Sequence, residues 1–218
     1  MEARTVGRPF DLALVVGRMQ MFHVGHEHLI HTALSIADRV LVLLGSAQEY
    51  GTVRNPFSVV SREKMVRAVF PGDEVIVAPL VDLDADQKVH EAWGIHLLEA
   101  SRQHTRIVPD VYVYGKEDKN TNWFTSGQNI SYLTKDMTEM IVSRERHPIS
   151  ATQMREWMFL DEHAKWAKFA NPKLRKYYDE LRAELVSCKG LAELVRTQLR
   201  RPSQGWTDKP KSVFDIGA

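Results

Sequence analysis

The stretch Gly17-Arg18-Met19-Gln20-Met21-Phe22-His23-Val24-Gly25-His26 decides how the rest of the chain is read. Ahead of it, Leu12 to Val16 is an apolar run of strand length. Behind it, from Leu29, apolar residues recur at Ile30, Ala33, Leu34 and Ala37, the spacing of a helix face. Strand, loop and helix follow in that order, so the loop leaves the C-terminal end of a strand. Open parallel sheets bind ligands at that end, and a helix N-terminus offers N–H groups and the positive end of a dipole to an anion. Gly25 lets the backbone turn tightly and approach a ligand closely. Arg18, His23 and His26 surround the loop, with His26 in or just before the first helical turn. The same residues also fit polar groups that only cap a helix. A zinc site fits poorly. His26-Glu27-His28-Leu29-Ile30 lacks the second His of His-Glu-x-x-His, and His28 with His31 has no third ligand at a recognisable spacing.

Outward from the loop the chain alternates. Arg39 to Leu44 reads as a buried strand, Ser61 to Phe70 as a helix through Met65, Val66, Val69 and Phe70, and Glu74 to Ala78 as a strand. Lys88 to Ala100 has helical spacing at Val89, Trp93, His96 and Leu97. Strands follow at Val111 to Tyr114 and Thr138 to Val142. The alternation predicts a doubly wound parallel-sheet α/β domain. After the last strand, Pro148 keeps the residue before it extended, and Ser150 or Thr152 can cap a helix whose first turn holds Arg155. This is a second anion site of the same physical kind. Asn171 to Leu199 reads as helices broken at Lys189-Gly190, and Gln204 to Ala218 as a tail.

Composition narrows the classes. At 218 residues the expectation is one principal domain with an appendage, and a net charge of +1 gives no general attraction to nucleic acid. The basic residues of the C-terminal part alternate with Glu180, Glu184 and Glu193, which suits a solvated helix face. The lone Cys188 excludes an intrachain disulfide and a Cys-rich metal site. No apolar run reaches spanning length and residues 1–10 lack a signal-peptide core, so no membrane partner is expected and the cytoplasm is the default location.

The opening stretch resembles the signature loop of the nucleotidylyltransferase superfamily with the His-x-Gly-His motif. The flanking Gly-Arg-x-Gln-x-Phe is similar to nicotinamide mononucleotide (NMN) adenylyltransferases of the archaeal type and the related bifunctional bacterial type, with Met21 where the family usually has Pro. Ile149-Ser150-Ala151-Thr152-Gln153-Met154-Arg155 resembles the superfamily's second signature, Ile-Ser-x-Thr-x-x-Arg. Gly45-Ser46-Ala47-Gln48 with Thr52 to Phe57 resembles a further segment of these enzymes. By themselves Arg54 reads as a solvated residue and Trp93 as a core residue. The resemblance instead implies that both bind NMN, Trp93 through its ring face. Lys116 resembles, loosely, the Lys of a Gly-x-x-Lys-Asp loop.

The resemblance implies a Rossmann-like nucleotidylyltransferase domain over residues 1–170 and a C-terminal helical extension and tail over residues 171–218, with no room for a Nudix-type second domain. It implies transfer of AMP from ATP to NMN, giving NAD and pyrophosphate, in NAD biosynthesis or salvage. Arg18, His23, His26 and Arg155 would be the catalytic groups, and Gly17, Gly25, Lys116, Ser150 and Thr152 would join them in binding ATP. Mg²⁺ would enter with ATP, with no metal site on the protein, and a homo-oligomer is implied. Nicotinic acid mononucleotide, which differs in one polar contact, is an alternative acceptor. Other readings of the motifs are a nucleotidylyltransferase acting on another phosphate such as phosphopantetheine, and a nucleotide-binding regulatory protein without catalysis. A third, nucleic-acid binding through the basic C-terminal region, predicts salt-dependent DNA affinity.

Overall fold

The apolar run ahead of the signature loop forms β1 (Phe10–Gly17), and Leu12 to Val15 are fully buried. Such a strand, apolar on both faces, suits the interior of a parallel sheet covered on both sides. It pairs in parallel with β2 (Ala37–Leu44) on one side and β4 (Val111–Gly115) on the other. β3 (Val75–Pro79) and β5 (Thr138–Val142) complete a five-stranded sheet of order β3-β2-β1-β4-β5, parallel throughout. The chain lays down β1, β2 and β3 toward one edge, then returns through α3 (His90–Thr105) to β4 and β5 on the other side of β1. The strand order therefore reverses at β1, and the signature loop leaves β1 at that switch point. This is the doubly wound, Rossmann-like arrangement that the alternation predicts, with helices at the C-terminus.

The computed structural model describes residues 7–83, 90–115, 124, 137–143, 145 and 147–191. The chain folds as two compact units. The first comprises residues 1–17, 28–45 and 71–146. Its core runs along the sheet through Leu12, Leu14, Leu41, Leu43, Leu97 and Tyr112. At the N-terminal end of β1 the Asp110 carboxylate accepts the Asp11 and Leu12 N–H groups at 2.9 and 3.0 Å. The second unit comprises residues 18–27, 46–70 and 147–218. It holds the signature loop, α2 (Val59–Val69), α4 (Ala151–Phe159), α5 (His163–Phe169), a 3₁₀ helix (Pro172–Tyr177) and α6 (Tyr178–Val186). Phe22, Phe57, Met154, Trp166 and Leu181 are among its buried residues.

Most differences from the sequence reading lie at element ends. α1 (Val24–Ile36) begins one turn before Leu29, because its first turn carries polar residues that apolar spacing does not register. α3 extends beyond Ala100 to Thr105. Apolar spacing gives no sign of α5, since within its seven residues Trp166 is the one buried side chain. The expected break at Lys189-Gly190 is there but starts earlier: α6 ends at Val186, residues 187–190 are non-helical, and Gly190 stands at φ 82°. Among the described residues no helix is long and apolar enough to cross a membrane.

Candidate functional site

The signature loop is shaped by main-chain bonds that seat the imidazoles. His26 and Glu27 donate their N–H groups to His23 O at 2.9 and 3.1 Å, so the His23 carbonyl closes the first turn of α1. Gly25 N–H donates instead to His23 Nδ1 at 3.1 Å. A nitrogen that accepts this bond carries no proton, which leaves the proton of the neutral ring on Nε2 as a donor. The His23 ring folds back over Gly25 to make that bond. A Cβ on residue 25 would meet His23 Cε1 at 2.9 Å and Nδ1 at 3.0 Å, so the motif needs Gly here for space. The ring of His26 stacks on that of His23, centroids 3.9 Å apart and planes at 27°, and on Phe22 at 5.7 Å. His23 is 1% exposed and His26 is half-buried.

The loop backbone is held by groups from three other segments of the same unit. The Gln20 amide mimics a peptide group: its Nε2 donates to Phe57 O at 3.1 Å and its Oε1 accepts Phe57 N–H at 2.9 Å. Arg62 on α2 is fully buried and donates to three carbonyls, Arg18 O at 2.9 Å, Ser46 O at 3.1 Å and Ser58 O at 3.4 Å. A guanidinium suits this task because its five donors lie in a fixed plane. Arg155 on α4, also buried, donates through Nη1 to Gln20 O and through Nη2 to Thr152 Oγ1 at 3.4 Å. These contacts let the loop keep strained backbone, with Met19 at φ 48° and Met21 at φ 154°. The φ of Met21 is one that Pro cannot adopt, so the family's usual residue would not fit this backbone.

The second signature reaches the same place. Ser150 caps α4, its hydroxyl accepting Gln153 N–H at 3.2 Å. The main-chain oxygen of His147, just ahead of it, lies 3.9 Å from where a Gly25 Cβ would stand. Two helix N-termini, two imidazoles and the Arg155 guanidinium thus converge on the loop, an arrangement suited to binding and stabilising a polyanion.

Of the expected site residues, the second unit holds Arg18, His23, Gly25, His26, Arg54, Ser150, Thr152 and Arg155. Arg18 and Arg54 are exposed. Gly17 ends β1, and its carbonyl accepts Gly45 N–H at 3.2 Å. Trp93 lies on α3 in the first unit, partly buried against the sheet core and edge-to-face with His96 at 5.7 Å. Lys116 lies outside the described residues. Gln20 and Arg62 carry roles that the sequence reading did not give them. The signal for Arg62 was its place three and four residues ahead of Met65 and Val66, on the apolar face of α2. Among the described residues no group of three or more His, Cys, Asp and Glu side chains is placed to hold a metal ion.

Residues 14–157 match the model of the cytidylyltransferase-like family. The chain is 28% identical over 152 residues to the nicotinamide/nicotinic acid mononucleotide adenylyltransferase of Acinetobacter baylyi, covering 67% of this chain and 74% of that protein. It is 28% identical over 178 residues to the nicotinamide-nucleotide adenylyltransferase of Aeropyrum pernix, covering 77% and 90%. Among solved structures, it is similar in fold to the bifunctional NMN adenylyltransferase/ADP ribose pyrophosphatase of Francisella tularensis complexed with AMP and a manganese ion. That match has TM-score 0.61 at 21% identity, over 90% of this chain and 58% of that one, so the chain spans less than two thirds of the bifunctional protein.

Proposed function

The chain belongs to the cytidylyltransferase-like family of nucleotidyltransferases, and on that premise we propose that it transfers the adenylyl group of ATP to NMN, forming NAD and pyrophosphate. The observation that carries the reading is the His23–Gly25–His26 arrangement: a ring whose Nε2 is left as donor, stacked on a second imidazole at the N-terminus of α1. The names of its relatives support the acceptor.

The chemistry asks for little more. A phosphate monoester has a second pKa of about 6, so the 5′-phosphate of NMN is mostly dianionic at neutral pH and attacks without a protein base. One of its oxygens bonds to the α-phosphorus of ATP while the bond from that phosphorus to the α,β-bridging oxygen breaks, and pyrophosphate leaves with the electron pair. Catalysis then consists of aligning two anions and stabilising charge on the α-phosphoryl and bridging oxygens. His23 Nε2–H and His26 act on those oxygens, with Arg18 and Arg155 supplying positive charge. Gly17 and Gly25 allow close approach, while Ser150, Thr152 and Lys116 take the β and γ end. Arg54 and Trp93 bind NMN.

Mg²⁺ is carried by the ATP phosphates, whose charge it neutralises. The residues at the loop are donors and cations, which suits a metal held by the nucleotide rather than by carboxylates. The active protein is a cytoplasmic homo-oligomer that takes neither nucleic acid nor membrane as partner.

The test is pyrophosphate release from ATP and Mg²⁺ with NMN, nicotinic acid mononucleotide or phosphopantetheine offered separately. Release with NMN is expected. Release with phosphopantetheine alone would keep the adenylyl transfer and overturn the acceptor, and silence with all three would favour a nucleotide-binding protein without catalysis.

A further inference from the structure

The segment that carries Arg54 is supported from below by α6 and the turn that follows it. Glu184 on α6 places its carboxylate at the N-terminus of α2: Oε1 accepts Ser58 N–H at 2.6 Å and Oε2 accepts the Ser61 hydroxyl at 2.6 Å. Ser58 is already the cap of α2 through its own hydroxyl, so Glu184 takes a second N–H at the same end, where the helix dipole favours a negative charge. Past the end of α6, Lys189 N–H donates to Gly51 O at 3.2 Å, and the Cys188 thiol lies 3.8 Å from Pro56 O. Burial, the largest influence on it, pushes that thiol up to about 11, so it remains protonated in this contact.

The contacts to Gly51, Pro56 and Ser58 bracket Arg54. Gly51 and Pro56 are themselves joined, Gly51 N–H to Pro56 O at 3.3 Å, and form the base of a turn. Inside it Thr52 N–H donates to Asn55 O at 3.3 Å and Asn55 N–H to Thr52 Oγ1 at 3.0 Å, while Asn55 Nδ2 donates to Glu49 at 2.6 Å. Arg54 stands at the tip with its side chain exposed, so the backbone beneath it sets where the guanidinium stands.

We infer that Glu184 is a positioning residue for the acceptor: with the end of α6 it fixes the Arg54 turn, which makes the C-terminal helices part of the acceptor-binding half of the enzyme. The inference rests on Arg54 binding NMN, as proposed above. It separates two roles that a general stabilising helix would not separate, because Glu184 touches the segment of Arg54 and not the imidazoles.

The experiment uses the full chain, as wild type, Glu184→Ala and Glu184→Gln, with two readouts. In steady-state kinetics Glu184→Ala is expected to raise KM for NMN about three- to fivefold, the size of one ordinary hydrogen bond and no more than the loss of Arg54 itself, while kcat and KM for ATP change less than twofold. Glu184→Gln should restore most of the loss, since its amide can accept from Ser58 N–H and donate to Ser61 Oγ. In amide hydrogen exchange, Gly51, Thr52, Asn55 and Ser58 should exchange faster in Glu184→Ala and not in Glu184→Gln. Equal losses in kcat and both KM values, or faster exchange with KM for NMN unchanged, would overturn the inference. If Glu184→Ala does not fold, Ser61→Ala removes one of the two bonds and should give a smaller shift of the same kind, an unchanged KM for NMN again overturning it. If the wild type does not use NMN, the function proposed above fails. Exchange then decides separately, and unchanged protection in Glu184→Ala would show that α6 does not hold the turn.

Discussion

The loops at 18–26 and 49–57 belong to the same unit and are built in opposite ways. In the first, residues 19–23 are all buried, and two guanidiniums and an amide grip its carbonyls and neighbours. The second turns its base inward at Asn55, Pro56 and Phe57 but presents Tyr50 and Arg54 to solvent. The difference matches the two tasks in the proposed reaction. Stabilising charge in a transition state requires donors that are already in place before the reaction. Capturing an acceptor requires a cation that the incoming ligand can reach. Arg62 is common to both, holding Arg18 O in one segment, and Ser46 O and Ser58 O on either side of the other.

The largest effect should come from breaking that shared anchor. Arg62→Met removes the donor to three carbonyls in a buried setting and is expected to cost about 3 kcal/mol of stability. For a chain of this size, thermal unfolding should show Tm lower by on the order of 10 °C. His26→Ala acts on the buried loop alone. Turnover should fall by about 10² or more, as when an electrostatic donor to the transition state is lost, with Tm nearly unchanged. Unchanged turnover would remove His26 from the mechanism.

Gly25→Ala tests the seating of the first imidazole. The new methyl would stand 2.9 Å from His23 Cε1, so the ring must swing away and Nδ1 must give up the Gly25 N–H. Turnover should drop about tenfold, with the ATP affinity from calorimetry changed much less. The smallest effect is expected at the exposed loop. Arg54→Ala should leave stability within about 0.5 kcal/mol, as for most surface changes, and raise KM for NMN about fivefold with kcat retained. A fall in kcat equal to that of His26→Ala would erase the distinction between the loops.

The sheet was legible because parallel strands covered on both faces are continuous apolar runs, as at Leu41 to Leu44 and Val111 to Val113. The convergence of the two signature stretches was legible only as motif resemblance. No spacing rule brings Arg155 to Gln20 across 135 residues of chain. Arg62 was hidden because charged residues on a helix are read as solvent-facing, whereas here main-chain carbonyls replace the solvent. The start of α1 is hard to read for a related reason: its first turn is polar and takes its position through the His23 carbonyl rather than through burial. The cap at Ser150 was readable, since Ser ahead of a helical run is a local signal that needs no tertiary contact. Arg54 shows the opposite limit. Its residue type and exposure fit a bland surface role, and its proposed function depends on the resemblance and on the turn beneath it.

Direct adenylyl transfer on a preorganised loop is tested by following NAD and pyrophosphate together in one reaction with ATP, Mg²⁺ and NMN. Direct transfer gives one NAD for each pyrophosphate, no pyrophosphate when NMN is omitted, and no adenylyl group on the protein at any time. Pyrophosphate release without NMN, or an adenylylated protein trapped during turnover, would contradict it.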